Sequence, residues 1–235
     1  MLLLYWEFAQ HTKVGWFFTH MDNFQKPITR RSMQQDPFPP VQSAGIIPFA
    51  VDPSTHTIYI LLARSATFKA EINKQGSFGD LGGHIKEEDH GDPARCASRE
   101  FSEESLCTVR LRGSTAMNTR LCRKRTLTAL QEGDFSFMLD HNFGSHRTVH
   151  YVVCVPFDAH VQENFARTRE SLLMVPPGTV RNELPLNLQG HPALACDPTC
   201  SVNGDYLEKD QLKWFALDHL IELIGYVCSL VHLPT

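Results

Sequence analysis

Leu81-Gly-Gly-His-Ile-Lys-Glu-Glu-Asp89-His-Gly-Asp-Pro-Ala-Arg-Cys-Ala-Ser-Arg99-Glu-Phe-Ser-Glu103-Glu104-Ser-Leu-Cys107 is the stretch on which the reading of this chain turns. Its second half is built as a helix. Asp92 suits the N-cap and Pro93 the first helical position, where its missing N–H costs nothing. The helix is expected from Pro93 to Ser105, with Ala94, Ala97 and Phe101 recurring at helical spacing on its buried side. Glu100, Glu103 and Glu104 stand three and four apart and so share one edge of it. Carboxylates that close repel one another unless a positive charge lies between them. A hard divalent cation such as Mg²⁺ or Mn²⁺ does this best, because it prefers oxygen ligands. Arg99, four residues before Glu103, is placed to orient one carboxylate by charge-assisted hydrogen bonds. The competing reading is a solvated helix face carrying an Arg–Glu pair.

Upstream, Ser43 to Val51 and Thr57 to Ala63 read as two strands joined by the turn Asp52-Pro-Ser-Thr-His56. Ser77 to Ile85 reads as a short strand running into glycines, which permit close approach of backbone to a ligand. Downstream, Cys107 to Arg112, Thr126 to Leu130 and Thr148 to Phe157 are strand candidates. Gln162 to Met174 reads as a helix, Lys213 to Ala216 as a short strand, and Leu217 to Leu230 as a closing helix. Pro176-Pro-Gly and Asn203-Gly mark breaks. Strands and helices in this mixed order indicate an α+β chain with an α/β/α sandwich and a mixed sheet. Residues 1–40, ending in Gln34-Gln-Asp-Pro-Phe-Pro-Pro40, are expected to be an N-terminal extension and linker, and 41–235 the main domain.

The bulk numbers fit that picture. In 235 residues, 42% hydrophobic and 20% charged, there is apolar material for a sizeable core, which excludes a disordered chain. A net charge of -4 is not that of a general nucleic-acid binder, although Arg120-Leu-Cys-Arg-Lys-Arg125 is a local basic cluster. Seven cysteines, an odd number in a long chain, suit reduced thiols in a cytoplasmic setting. Cys196 and Cys200, four apart with His191 nearby, lack the second pair that a zinc site would need. The opening Met-Leu-Leu-Leu-Tyr-Trp lacks a signal peptide's basic flank, and no stretch reaches the ~20 apolar residues of a membrane span.

The decisive stretch resembles the Nudix box, whose pattern is G-x5-E-x7-R-E-U-x-E-E-x-G-U with U apolar. Gly83, Arg99, Glu100, Phe101, Glu103, Glu104 and Cys107 fit it. Asp89 stands where the family has Glu, nine residues rather than seven separate it from Arg99, and Leu106 stands where the family has Gly. Glu87 or Glu88 are alternatives for the role of Asp89. The openings Ala44-Gly-Ile-Ile-Pro and Leu61-Leu-Ala-Arg64, and Leu212 to Leu220, are similar to the family's other strands and closing helix. The spelling Phe78-Gly-Asp-Leu-Gly-Gly is similar to Nudix proteins of large DNA viruses and protists.

This resemblance implies a Nudix-like fold with an N-terminal extension and long loop insertions at 112–146 and 157–206. It implies hydrolysis of a phosphoanhydride bond in a nucleoside diphosphate linked to another group, by water and Mg²⁺ or Mn²⁺. By similarity, Glu100, Glu103 and Glu104 would be metal ligands, the Gly82 carbonyl and Glu208 would complete the shell, and Arg99 would orient the carboxylates. Glu100 or Glu208 would take the proton of the water, and Arg64 and Lys74 are candidate phosphate contacts. The substrates to be weighed are nucleoside triphosphates or dinucleotides, a nucleotide sugar such as ADP-ribose, and an mRNA cap. The rival is a catalytically silent Nudix domain that binds nucleotide or regulates. The aromatic N-terminal arm offers a surface for a homodimer.

Overall fold

The computed structural model describes residues 39–66, 77–111, 122–143, 146–194 and 199–222. The chain divides into two units, Met1–Gln35 and Asp36–Thr235, and the first lies outside the described residues. The expected extension at 1–40 therefore lies almost wholly outside them too.

β1 (Val41–Val51) is the spine of the sheet. It pairs antiparallel with β2 (Ile58–Ser65) at one end and with β4 (Leu81–His84) at the other. Along its other side it runs parallel to β6 (His146–Cys154), from Val41 to Phe49. β5 (Phe137–Phe143) closes the far edge against β6. β9 (Lys209–Ala216) and the two-residue β3 (Phe78–Gly79) both pair with β2. Among the described residues the sheet is thus seven-stranded and mixed, as the sequence leads one to expect.

The box helix α1 (Pro93–Glu104) lies across β1 and β4. Strand side chains alternate between faces, so Ala44 and Ile46 of β1 and Leu81 of β4 meet α1. Phe101, wholly buried, is the large apolar side chain of that contact, and burial of such a ring contributes ~1.5–3 kcal/mol. Asp92 caps the helix as its sequence suggests, its carboxylate accepting from the Ala94 N–H at 2.8 Å. α3 (Val161–Leu173) packs on β9, where the Trp214 indole donates to the Asp158 carbonyl at 2.8 Å. Residues 217–222 are helical, and the rest of the expected closing helix lies outside the described residues.

Three expectations need correction. Thr126 to Leu130 is not a strand but part of helix α2 (Cys122–Glu132). Its two buried residues, Thr126 and Leu130, are four apart, a helical and not an alternating pattern. Cys107 to Leu111 is not a strand either, for the chain turns there with Leu106 and Cys107 at φ 51° and 55°, and Arg112 lies outside the described residues. β5 lies at 137–143, where the sequence suggested no strand. Within 157–206 a small two-stranded sheet joins β7 (Thr179–Val180) to β8 (Thr199–Cys200). Among the described residues no helix is long and apolar enough to cross a membrane.

Candidate functional site

Arg99 is completely buried, and every bond it makes is to the stretch that surrounds it in sequence. Its Nη2 and Nε donate to the two oxygens of Asp89 at 2.8 and 3.2 Å. Its Nη1 donates to Glu100 Oε1 at 2.6 Å and to Glu103 Oε2 at 3.1 Å. Nη2 also donates to the His84 carbonyl, tying α1 to β4 at 3.0 Å. A planar fork of five N–H donors is the one side chain that can serve three carboxylates in fixed directions. Asp89 is the loop carboxylate bound most closely, while Glu88, an alternative to it, stays exposed with Oε1 3.5 Å from the Arg99 Nε. Asp89 is itself fully buried and fixed by the Lys86 N–H at 2.9 Å. Asp89 closes the 3₁₀ turn Glu87–Asp89, and His90 and Gly91, both at positive φ, then lead the chain into the Asp92 cap.

Glu104 is held separately. Its Oε2 accepts from the Gly82 N–H at 2.8 Å, and its Oε1 is 2.8 Å from Lys209 Nζ on β9. Gly83 lies against the row as well, and a Cβ there would push the Glu100 carboxylate aside. Glu208 is exposed in the turn before β9, close enough that its charge raises the pKa of Glu100.

Burial dominates the electrostatics of the row. It pushes Glu103 up to about 7 and Glu104 up to about 8, with Arg99 and Lys209 respectively pulling the other way. Glu100 is raised for the same reason. Burial also raises Asp89, but its hydrogen bonds to Arg99 and to the Lys86 N–H, with the charges of Arg99 and Arg123, together outweigh that and the net shift is downward. Four carboxylates (Asp89, Glu100, Glu103 and Glu104) thus share two directly contacting buried or half-buried cations, Arg99 and Lys209. Burial therefore opposes ionising all four at once, a penalty that a divalent cation would offset. The donors are all hard oxygens, the type Mg²⁺ and Mn²⁺ select. Among the described residues no three His, Cys, Asp or Glu side chains converge as a ready metal cage. Glu100 and Glu103 are turned onto the guanidinium and Glu104 onto the ammonium, so the carboxylates have to turn before they can share a cation.

The other residues singled out from the sequence fall differently. Gly82 joins the row through its N–H. Arg64 sits at the end of β2 with its guanidinium on the two oxygens of Asp210, at 2.7 and 3.1 Å. Lys74 lies outside the described residues. Of the basic cluster, Arg123 reaches Glu88 at 3.5 Å and Asp89 at 3.8 Å, while Lys124 and Arg125 are exposed on α2. Lys209 went unnoticed in the sequence. It is 105 positions from Glu104, and no local pattern marks it.

A second polar group lies on the opposite face of β4 and β1. Asp80 Oδ2 reaches His150 Nε2 at 2.8 Å, and the His150 ring stacks on His141 with centroids 5.1 Å apart. Burial raises Asp80, but the hydrogen bond and charge of His150 outweigh it and lower the pKa.

No family model matches the chain, and no curated protein matches it. Several solved structures do. An Ap4A hydrolase binary complex from C. elegans is 12% identical, with 77% of this chain and 84% of that one covered at a TM-score of 0.32. The NUDIX domain of NrtR from Shewanella oneidensis, complexed with ADP ribose, is 10% identical over 90% and 87%, at 0.36. A MutT/nudix family protein from Enterococcus faecalis is 9% identical over 89% and 55%, at 0.32. Superpositions this loose add no weight to the geometry of the row.

Proposed function

We propose that residues 41–235 form a Nudix-type hydrolase domain that cleaves a phosphoanhydride bond in a nucleoside diphosphate-linked substrate with Mg²⁺ or Mn²⁺. The observation that carries this reading is the buried Arg99 guanidinium. It gathers Asp89, Glu100 and Glu103 at one edge of α1, while Glu104 is fixed beside them on the Gly82 N–H. A surface helix has no reason to bury four charged side chains against a fifth, Asp89, from the turn before it. A site that must present oxygens to a cation does.

Glu100, Glu103 and Glu104 would hold the cation, with the Gly82 carbonyl and Glu208 as further oxygens. Bound there, it would make the attacking water more acidic and offset charge growing on the phosphoryl oxygens. The chain's own residues do the rest. Arg99 gathers Glu100 and Glu103 at one edge of the helix, from which each has to turn only its carboxylate to reach a shared cation. Glu100 or Glu208 accepts the proton of the water.

A panel of nucleoside triphosphates, ADP-ribose, diadenosine polyphosphates and capped RNA tests this, with Mg²⁺ or Mn²⁺ and beside Glu104→Gln. Turnover on one class, lost in the variant, is the expected result. One observation favours a second reading, a nucleotide-binding module without turnover: every carboxylate of the row already has a cationic partner. Binding of a nucleotide with no product would select it, and absence of both metal binding and turnover would sink the enzyme.

A further inference from the structure

Of the two basic residues expected near a substrate's phosphates, Lys74 lies outside the described residues and Arg64 is committed to Asp210. A different cation reaches the row, and the sheet is built to bring it there. Leu212 of β9 stands opposite Ala63 of β2, both wholly buried on the side of α1. Regular alternation would carry residue 209 to the other side. Instead the ladder slips between Arg64 and Ser65, so that Gln211 faces Arg64 and Lys209 faces Ser65, with Asp210 as the extra residue. Such a bulge re-aims a side chain. Here it turns Lys209 to the face of α1, where its Nζ lies 2.8 Å from Glu104 Oε1. The Arg169 Nε donates to the Lys209 carbonyl at 2.9 Å and holds that backbone in place.

Both oxygens of Glu104 are then occupied, one by a backbone N–H and one by the ammonium. A cation that takes Glu104 as a ligand has to displace one of them. The Gly82 N–H belongs to a strand and does not move, whereas Lys209 hangs on a flexible four-carbon stem. We propose that Lys209 is an exchangeable counter-ion of Glu104, displaced by the divalent metal, and that its freed ammonium then contacts a phosphate of the substrate. The inference rests on the reading of the row as a metal-dependent phosphohydrolase site. It gives the site an order of events, in which metal entry releases the residue that recognises the phosphate.

The test uses Mn²⁺ alone and then inorganic pyrophosphate, on the full chain and on Lys209→Met. Mn²⁺ binding is followed by the loss of the free-ion paramagnetic resonance signal. Pyrophosphate binding is followed by calorimetry at saturating Mn²⁺. Removing the competitor should tighten Mn²⁺ about tenfold and weaken pyrophosphate about tenfold. Mn²⁺ affinity that is unchanged or weaker in the variant overturns the exchange, and unchanged pyrophosphate affinity overturns the phosphate contact. A wild-type chain that takes up no Mn²⁺ removes the metal-site reading itself, and so separates that failure from a failure of the exchange. Should Lys209→Met not fold, Lys209→Gln replaces it, since its amide still hydrogen-bonds Glu104 without competing as a charge.

Discussion

The front and the back of the box helix are held by opposite means. At the front, Asp92 caps the first turn, and Arg99 binds Asp89, Glu100 and Glu103, so every partner lies within the stretch 84–103. At the back, Glu104 is held by Lys209 from β9, and the helix ends in a turn that His191 secures from 85 positions away. That turn is a Schellman motif, with Leu106 N–H on the Glu103 carbonyl and Cys107 N–H on the Ser102 carbonyl. Leu106 occupies the left-handed position where glycine is usual, at φ 51°. The front is wired locally by an immobile guanidinium. The back depends on distant parts of the chain and accepts backbone strain.

The largest expected effect lies at the front. Arg99→Met leaves Asp89, Glu100 and Glu103 buried without their common cation, which should cost about 3–5 kcal/mol. Chemical denaturation of variant and parent measures it. A loss below about 1 kcal/mol would mean that the carboxylates rearrange into water, and that the front is no more firmly wired than the back.

At the back, Leu106 is wholly buried, so Leu106→Ala should cost about 3 kcal/mol through the cavity it leaves. Leu106→Gly removes slightly more side chain but also the left-handed strain of about 1–2 kcal/mol. Leu106→Gly should therefore unfold at higher denaturant than Leu106→Ala, the reverse of the usual order in a helix. If alanine proves the more stable of the two, the turn carries no strain and the contrast between the ends weakens. The leucine's burial offsets the strain of its left-handed backbone.

The same contrast explains what the sequence disclosed. The spacing of Glu100, Glu103 and Glu104 and the cap at Asp92 are local facts, so the helix and its carboxylate row could be read directly. The mixed sheet was legible from its alternating runs, with β1, β2 and β6 within a few residues of their observed bounds. Thr126 to Leu130 misled because its β-branched and apolar residues suit a strand, while the spacing of the two that are buried suits a helix. Lys209 was invisible because a bulge in β9 decides its direction, and a bulge is a property of the ladder and not of the strand's own residues. His191 was noticed only as a neighbour of Cys196 and Cys200. Its role depends on a carbonyl in a turn that the sequence made look like a strand.

A smaller effect tests whether the front cap is as ordinary as it looks. Asp92→Ala removes the acceptor of the Ala94 N–H, and should cost about 1 kcal/mol by thermal or chemical unfolding. Pro93 pre-sets the backbone of the first turn, so the helix itself should persist. An unchanged midpoint would show that proline alone starts the helix.

The smallest effect concerns pH and belongs to the back. His191 Nε2 donates to the Leu106 carbonyl and its Nδ1 accepts from the Ala193 N–H, both at 3.1 Å. The neutral ring is fully satisfied in this tautomer. A proton on Nδ1 would set one donor against another inside the core. Burial lowers the His191 pKa from 6.5, with the Leu106 bond opposing it more weakly. The folded state therefore stays neutral at a pH where the unfolded chain already takes up a proton. Its contribution to stability is complete above about 6.5 and is lost as pH falls from there toward the folded value. Melting temperatures between pH 7.5 and about 5 should fall more steeply for the parent than for His191→Gln, which cannot titrate. The carboxylates of the row are common to both proteins, so they cancel in the difference. Parallel curves would mean that the ring escapes to water before it is protonated, and that the back of the helix opens on its own.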